Sequence, residues 1–204
     1  MTAPRILAID AARRLGWAYG PAGGTPISGS VECAQEGASR GAIFSGAGRW
    51  LTRFVEIEDH PVDVLAIEAP LPGSFVQGQT NMKTATILLG LPAVLEFMAY
   101  QFKVYRHIRV NQASVKKHFA GNGKGEQKPV IMAKCRALGW VKPDDEDQSF
   151  DRSDALAVWS YVEADVAPRY TQPVDDLFVA SERRKREAEE LKRRYQAPTI
   201  PERF

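Results

Sequence analysis

Two short apolar runs constrain this 204-residue chain more than any other feature: RILAID at Arg5–Asp10, and VLAIEA inside HPVDVLAIEAP, which carries Glu68. A continuous run of Ile, Leu, Val and Ala bounded by turn residues reads as a buried strand. Each of these runs closes on a carboxylate, Asp10 in the first and Glu68 in the second. An unpaired charge at the end of a buried strand costs several kcal/mol. Parallel neighbours ending at one sheet edge would bring the two acids together, so the fold needs something that offsets the charge of both.

The segments around these runs suggest how the sheet is built. LGWAYGP and TPISGSVEC are short and turn-bounded, which makes an antiparallel meander with the first strand. In GAIFSGAGRWLTRFVEI, residues Ile43, Ala47, Trp50, Leu51, Phe54 and Val55 fall at helical spacing ahead of the second acid-ended strand. After the loop APLPGSFVQGQ comes an apolar helix over Met82–Phe102, then KVYRHIRV as a third central strand. A basic, glycine-rich stretch follows, SVKKHFAGNGKGEQKP, then a helix VIMAKCRALGW and an acidic loop VKPDDEDQSF. The last compact element is the helix DRSDALAVWSYVEA, with an apolar stripe at Ala155, Leu156, Val158, Trp159 and Val162. A meander followed by β-α-β order predicts an α/β fold, a mixed sheet flanked by helices. Pro168 and Pro173 mark the end of the compact part, giving a domain over 1–167 and a charged helical extension and tail over 168–204. In that extension Glu182–Arg186, Glu189–Arg193 and Glu190–Arg194 are i,i+4 pairs in the favourable order, so a self-stabilised solvated helix competes with a DNA clamp.

Composition narrows the class without identifying a partner. A net charge of +2 and a pI near 8.5 are too mildly basic to point to nucleic acid by themselves. Cys33 and Cys135 lack metal-ligand spacing and fit reduced thiols. No secretory leader pattern is present and no run reads as a membrane span, so a cytoplasmic protein without a membrane partner is expected. The histidines His60, His107 and His118 share no ligand spacing and are read as structural.

The chemistry rests on acids. Asp151 and Asp154, three apart at the start of a helix, can face one direction and join Asp10 and Glu68. Four carboxylates at one spot repel one another and resist ionisation. Two Mg²⁺ ions, with Mn²⁺ as a substitute, resolve this, because hard cations take carboxylate oxygens and a pair about 4 Å apart clamps an in-line displacement at phosphorus. Singly, each acid has a structural explanation: a turn starter after a strand, a loop residue before AP, or acids at a helix N-terminus. The set on two strands and a late helix is harder to dismiss.

ILAIDAARRLGWA, DVLAIEAP, VKKHFAGNGKGEQK and DRSDALAVW, in that order, resemble the motifs of RuvC-type Holliday-junction endonucleases, particularly their phage-like branch, over about Arg5–Glu163. The resemblance implies a ribonuclease-H-like fold with a five-stranded mixed sheet, a homodimer, divalent-metal dependence and cleavage of branched DNA: four-way junctions, forks or flaps. It matches Asp10 to the first-strand acid, Glu68 to the acid ending the fourth strand, and Asp151 and Asp154 to the paired acids of the last core helix. Lys128 matches a basic residue near the catalytic centre and Lys116 one on the DNA-facing side. The sequence departs from the pattern after the first acid, where Ala11-Ala12-Arg13-Arg14 stands in place of a Gly and a small hydroxyl residue.

Lys116, Lys117, Lys124 and Lys128 surround Gly121, Gly123 and Gly125, which reads as a flexible basic loop that binds phosphates or is simply solvated. Phe75 follows Glu68 and either stacks on opened bases or folds onto the core. The Met82–Phe102 helix, apolar nearly all round, is either fully buried or shared with a second subunit. Two other functions compete with the nuclease. An ATPase or sugar-kinase relative would want Gly and Thr or Ser after Asp10, which this chain lacks. A catalytically silent DNA-binding member of the fold would have lost an acid, and all four are present.

Overall fold

Strand β1 (Arg5–Asp10) lies at the centre of a five-stranded sheet in a computed structural model that describes residues 2–69, 82–121, 128–142, 144–145 and 150–170. The other strands are β2 (Arg14–Pro21), β3 (Ile27–Glu32), β4 (Val64–Ala69) and β5 (Arg106–Asn111), in spatial order β3-β2-β1-β4-β5. The meander β1-β2-β3 is antiparallel, whereas β4 and β5 join it in parallel. The helices are α1 (Arg40–Thr52), running on into a π-helical stretch at Arg53–Ile57, α2 (Met82–Gln101), α3 (Gln112–Ala120), α4 (Lys128–Ala137) and α5 (Asp151–Val166). The expected mixed α/β sheet is therefore what forms. The proposed extension after residue 170 lies outside the described residues.

Alternation along the strands assigns two faces. Leu7, Ile9, Leu15, Tyr19, Leu65 and Ile67 point to one side, where they form a core with Ile43, Ala47, Leu51 and Phe54 of the first helical segment and Leu91, Leu95 and Ala99 of α2. Full burial of each large side chain contributes roughly 1.5–3 kcal/mol. The intervening residues Ile6, Ala8, Ala18, Val64 and Ala66 are buried on the other side, beneath α5. The register aligns Ala18, Ala8 and Ala66 across three strands. This row of methyl groups leaves room for α5 to come close, and α5 fills it with Ala155, Leu156, Trp159 and Val162, all buried.

Helix α2 is neither fully buried nor uniformly exposed. Leu91, Leu95 and Ala99 face the core, while Met82, Leu89, Phe97 and Tyr100 are more than half exposed. Contrary to the sequence reading, Thr84–Gln101 is long and apolar enough to cross a membrane by length and composition alone. In the fold its charged residue, Glu96, accepts two hydrogen bonds from Arg109 of β5, at 2.7 Å each, and its inner stripe packs in the core.

The first part of the basic segment after β5, Gln112–Ala120, is a helix where a loop is expected. Asn111 caps α3 by accepting from the N–H groups of Ala113 and Ser114. Val115 and Phe119, four apart, anchor it in the interior. Gly121 ends it at a φ of 76°, the left-handed conformation that glycine adopts without steric penalty. Lys116 and Lys117 therefore sit on a regular helix.

Candidate active site

The strand parity that buries Leu7 and Ile9 against α1 and α2 turns Asp10 to the opposite face, the one covered by α5. Glu68 has the same parity on β4, one position beyond the Ile9–Ile67 pair. Both acids thus lie at the carboxyl ends of adjacent parallel strands, facing the helix that carries Asp151 and Asp154 in its first turn. The positive end of the helix dipole favours carboxylates there. The start of α5 is set by Phe150, held at a φ of 61°, whose carbonyl accepts from the Ser153 hydroxyl and the Asp154 N–H, both at 2.9 Å. β2 presses against this turn at Gly16, where a Cβ would lie 1.8 Å from the Asp151 carbonyl oxygen. No side chain fits, and the glycine is what lets strand and helix meet.

The four acids interact through space. Burial raises the Asp10 carboxyl well above the ordinary carboxylate range, and the charges of Glu68, Asp154 and Asp151 add to the effect against an opposing Lys128. Burial, then the charge of Asp154, pushes Glu68 up to about 7 despite a hydrogen bond from Gln112 and the nearby charges of Lys116 and Lys128. Asp154 is raised by burial too, with Lys128 opposing and Asp151 adding. Lys128 Nζ is 3.5 Å from Asp154 Oδ2 and 5.9 Å from the centre of the Phe150 ring. Asp151 Oδ2 is buried with no hydrogen-bond partner, and its nearest cation is Arg14 Nε at 3.3 Å.

This donor set fits a hard divalent cation. All four groups offer carboxylate oxygens, the ligands Mg²⁺ and Mn²⁺ prefer, and the orphaned Asp151 oxygen is a buried acceptor that lacks a donor. Among the described residues no three acidic, His or Cys side chains are close enough to hold one ion as they stand. The acids are neighbours in the field they generate.

The other predicted residues divide in three. Lys116, partly buried on α3, acts on both Glu68 and Asp154, whereas Lys117 is exposed on the same helix. Phe75 and Lys124 lie outside the described residues. Each of the three histidines, read as structural, has a contact within the fold. His60 stacks on Phe54 with ring centres 4.4 Å apart and contacts the Phe54 carbonyl. His107 contacts the Val104 carbonyl, and His118 the Ser160 hydroxyl. Two site residues went unrecognised in the sequence. Gln112, the first residue of α3, donates to Glu68 Oε1 at 2.8 Å. Arg14, in the stretch that departs from the expected pattern, faces Asp151.

Strand order, mixed pairing and covering helices define a ribonuclease-H-like α/β fold. Among solved structures, the fold is shared with RuvC of Thermus thermophilus: TM-score 0.54 and 15% identity over 76% of this chain and 90% of that one. It is also shared with T. thermophilus RuvC in complex with a Holliday junction substrate, at TM-score 0.57 and 13% identity over 76% and 89% of the two chains. The yeast mitochondrial Holliday junction resolvase Ydc2 matches at TM-score 0.55 and 12% identity over 86% and 82%. No protein-family model and no curated protein sequence matches the chain.

Proposed function

We propose that this chain is a divalent-cation-dependent endonuclease that hydrolyses phosphodiester bonds in branched DNA, four-way junctions first among them. The observation that carries the proposal is the gathering of Asp10, Glu68, Asp151 and Asp154 on one sheet edge and one helix turn, two of them on the most buried strands. Buried acids that raise one another's protonation are costly unless a cation is their partner. The choice of DNA substrate is supported by the shared fold, since one of the matching structures is described with a Holliday junction and another as a Holliday junction resolvase.

In this reading the four acids hold two Mg²⁺ ions, with Mn²⁺ able to substitute. When bound, the ions supply Lewis-acid stabilisation of phosphoryl oxygens and a nucleophile usable at neutral pH. Lys128, beside Asp154, offers a compact positive charge to a phosphate oxygen that gains charge in the transition state. Lys116 and Lys117 extend the positive surface along α3, where they contact DNA phosphates without reading sequence. Gln112 orients Glu68. The exposed face of α2, with Leu89, Phe97 and Tyr100, is the surface on which a second copy of the chain would pair, giving a homodimer with two centres for the two strands of a junction.

The test is a cleavage assay on labelled four-way junctions, forks, flaps and plain duplex, each with Mg²⁺, Mn²⁺ or EDTA. Cutting of branched substrates in the metal lanes only is the expected result. A junction-binding protein without nuclease activity is the second reading. Junction binding with intact DNA in every lane would favour it.

A further inference from the structure

Three arginines line the rim formed by β2, β3 and the start of α5, and their commitments differ. Arg13 donates to Glu32 and to the Ala34 carbonyl. Arg152, largely covered, donates to Ser28 at 2.7 Å and to Asp145 at 3.0 Å. Arg14 has a 3.3 Å ion pair to Asp151 and a 3.4 Å contact to the Ser30 hydroxyl, with its side chain 55% exposed. Its position on β2 has the parity of Gly16 and Ala18, so it points to the α5 face. It is the most loosely held of the three and the one that meets the acids.

We propose that Arg14 is an exchangeable counter-ion: it pairs with Asp151 in the cation-free protein and transfers to a DNA phosphate when a divalent cation takes the Asp151 oxygen. The inference rests on the metal-dependent reading of the site. Without a cation, the guanidinium offsets part of the repulsion among the four acids. A divalent ion bound there competes for the same oxygen and repels the guanidinium. Arg14 stands at the edge of the site with solvent on its outer side. A planar guanidinium displaced to that edge matches the geometry of a phosphate, which it can grip through two parallel hydrogen bonds. The exchange couples the two ligands: cation binding creates a DNA contact, and DNA binding removes a competitor of the cation.

The experiment compares the full-length protein with Arg14→Gln and Arg14→Lys. Ca²⁺ is the probe, a hard ion with oxygen ligands. Calorimetric titration of Ca²⁺ into DNA-free protein should show binding about threefold tighter in Arg14→Gln, the size of a half-exposed ion pair removed. Gel-shift titrations of a four-way junction over a range of salt should show the slope of log affinity against log salt shallower by about 1 in Arg14→Gln when Ca²⁺ is present, and unchanged in EDTA. Arg14→Lys, which keeps the charge, should hold the wild-type slope. Unaltered or weaker Ca²⁺ binding by Arg14→Gln, beside a wild type that binds Ca²⁺, overturns the exchange. So does a slope lost equally in EDTA, which would make Arg14 a standing DNA contact, or a slope lost in both variants alike. A wild type with no divalent-ion affinity would overturn the metal-dependent reading itself, and the exchange with it.

Discussion

Asp10 and Glu68 are held by strands, Asp151 and Asp154 by the first turn of a helix, and the two pairs meet opposite electrostatic surroundings. The strand pair is fixed by the β1–β4 register and backed by buried apolar residues, and the Gln112 side chain donates a hydrogen bond to Glu68. The helix pair has a cation at each carboxylate, Arg14 at Asp151 and Lys128 at Asp154. The rigid half of the site creates the need for positive charge. The helical half meets part of that need with Arg14 and Lys128.

The largest effects should come from the two strand acids and Asp154. Asp10→Asn or Glu68→Gln is expected to bring cleavage of a four-way junction below detection while gel-shift affinity stays within a few-fold, because the lysines proposed to contact phosphates remain. Asp154→Asn should do the same. Asp151→Asn should be milder, since an amide oxygen can still ligate. An Asp151→Asn loss as complete as that of Asp10→Asn would erase the distinction between Asp151 and the other three acids.

Lys128→Ala should lower the single-turnover rate at saturating enzyme by a factor on the order of 10² with junction affinity little changed. Lys128→Arg should rescue only part, having the charge without the compact geometry. Equal losses of binding and rate would place Lys128 with the phosphate contacts of α3. Next in size, Gly16→Ala should destabilise the fold by about 1–3 kcal/mol, read by denaturant unfolding, as β2 and the start of α5 are forced apart.

The smallest expected effect concerns pH. Glu68 titrates near 7 in the fold against an ordinary value of 4.5, so between these values the folded state holds the proton that the unfolded state has lost. In EDTA, this group's contribution to stability is therefore present below about pH 4.5 and is lost as pH rises through 7. Melting curves of wild type minus Glu68→Gln should show the difference growing more unfavourable across that window. Divalent cation should reverse the trend, since it binds the deprotonated acids. Gln112→Ala removes a hydrogen bond that favours ionised Glu68 and should shift the midpoint of the trend upward.

Much of this architecture is legible in the sequence, and the exceptions have physical reasons. β1 and β4 are apolar without interruption because both of their faces are buried, so their terminal acids stand out. α3 reads as a loop in the sequence because its two inward anchors, Val115 and Phe119, are diluted by lysines and a histidine, and because Gly121, a helix stop, resembles the start of a glycine-rich linker. Gln112 comes beside Glu68 only through the β4–β5 register, in which Ala69 pairs with Asn111. Arg14 comes beside Asp151 only because Gly16 lets β2 approach α5. Neither juxtaposition has a local signature.

The parallel pairing of β1 with β4 also bears on when the site comes into being. Asp10, Glu68 and Asp154 are brought together by contacts between the early, middle and late parts of the described chain, and pairings of such long sequence separation form slowly. During synthesis the β1–β2–β3 meander can form as soon as it emerges, but the acid centre waits for α5 to dock on the alanine row. A growing chain, or a proteolytic fragment that lacks α5, carries only half of the charge cluster and neither Lys128's partner nor Arg14's. The four-acid cluster is thus a property of the finished fold alone, absent from any chain in which α5 has not yet docked.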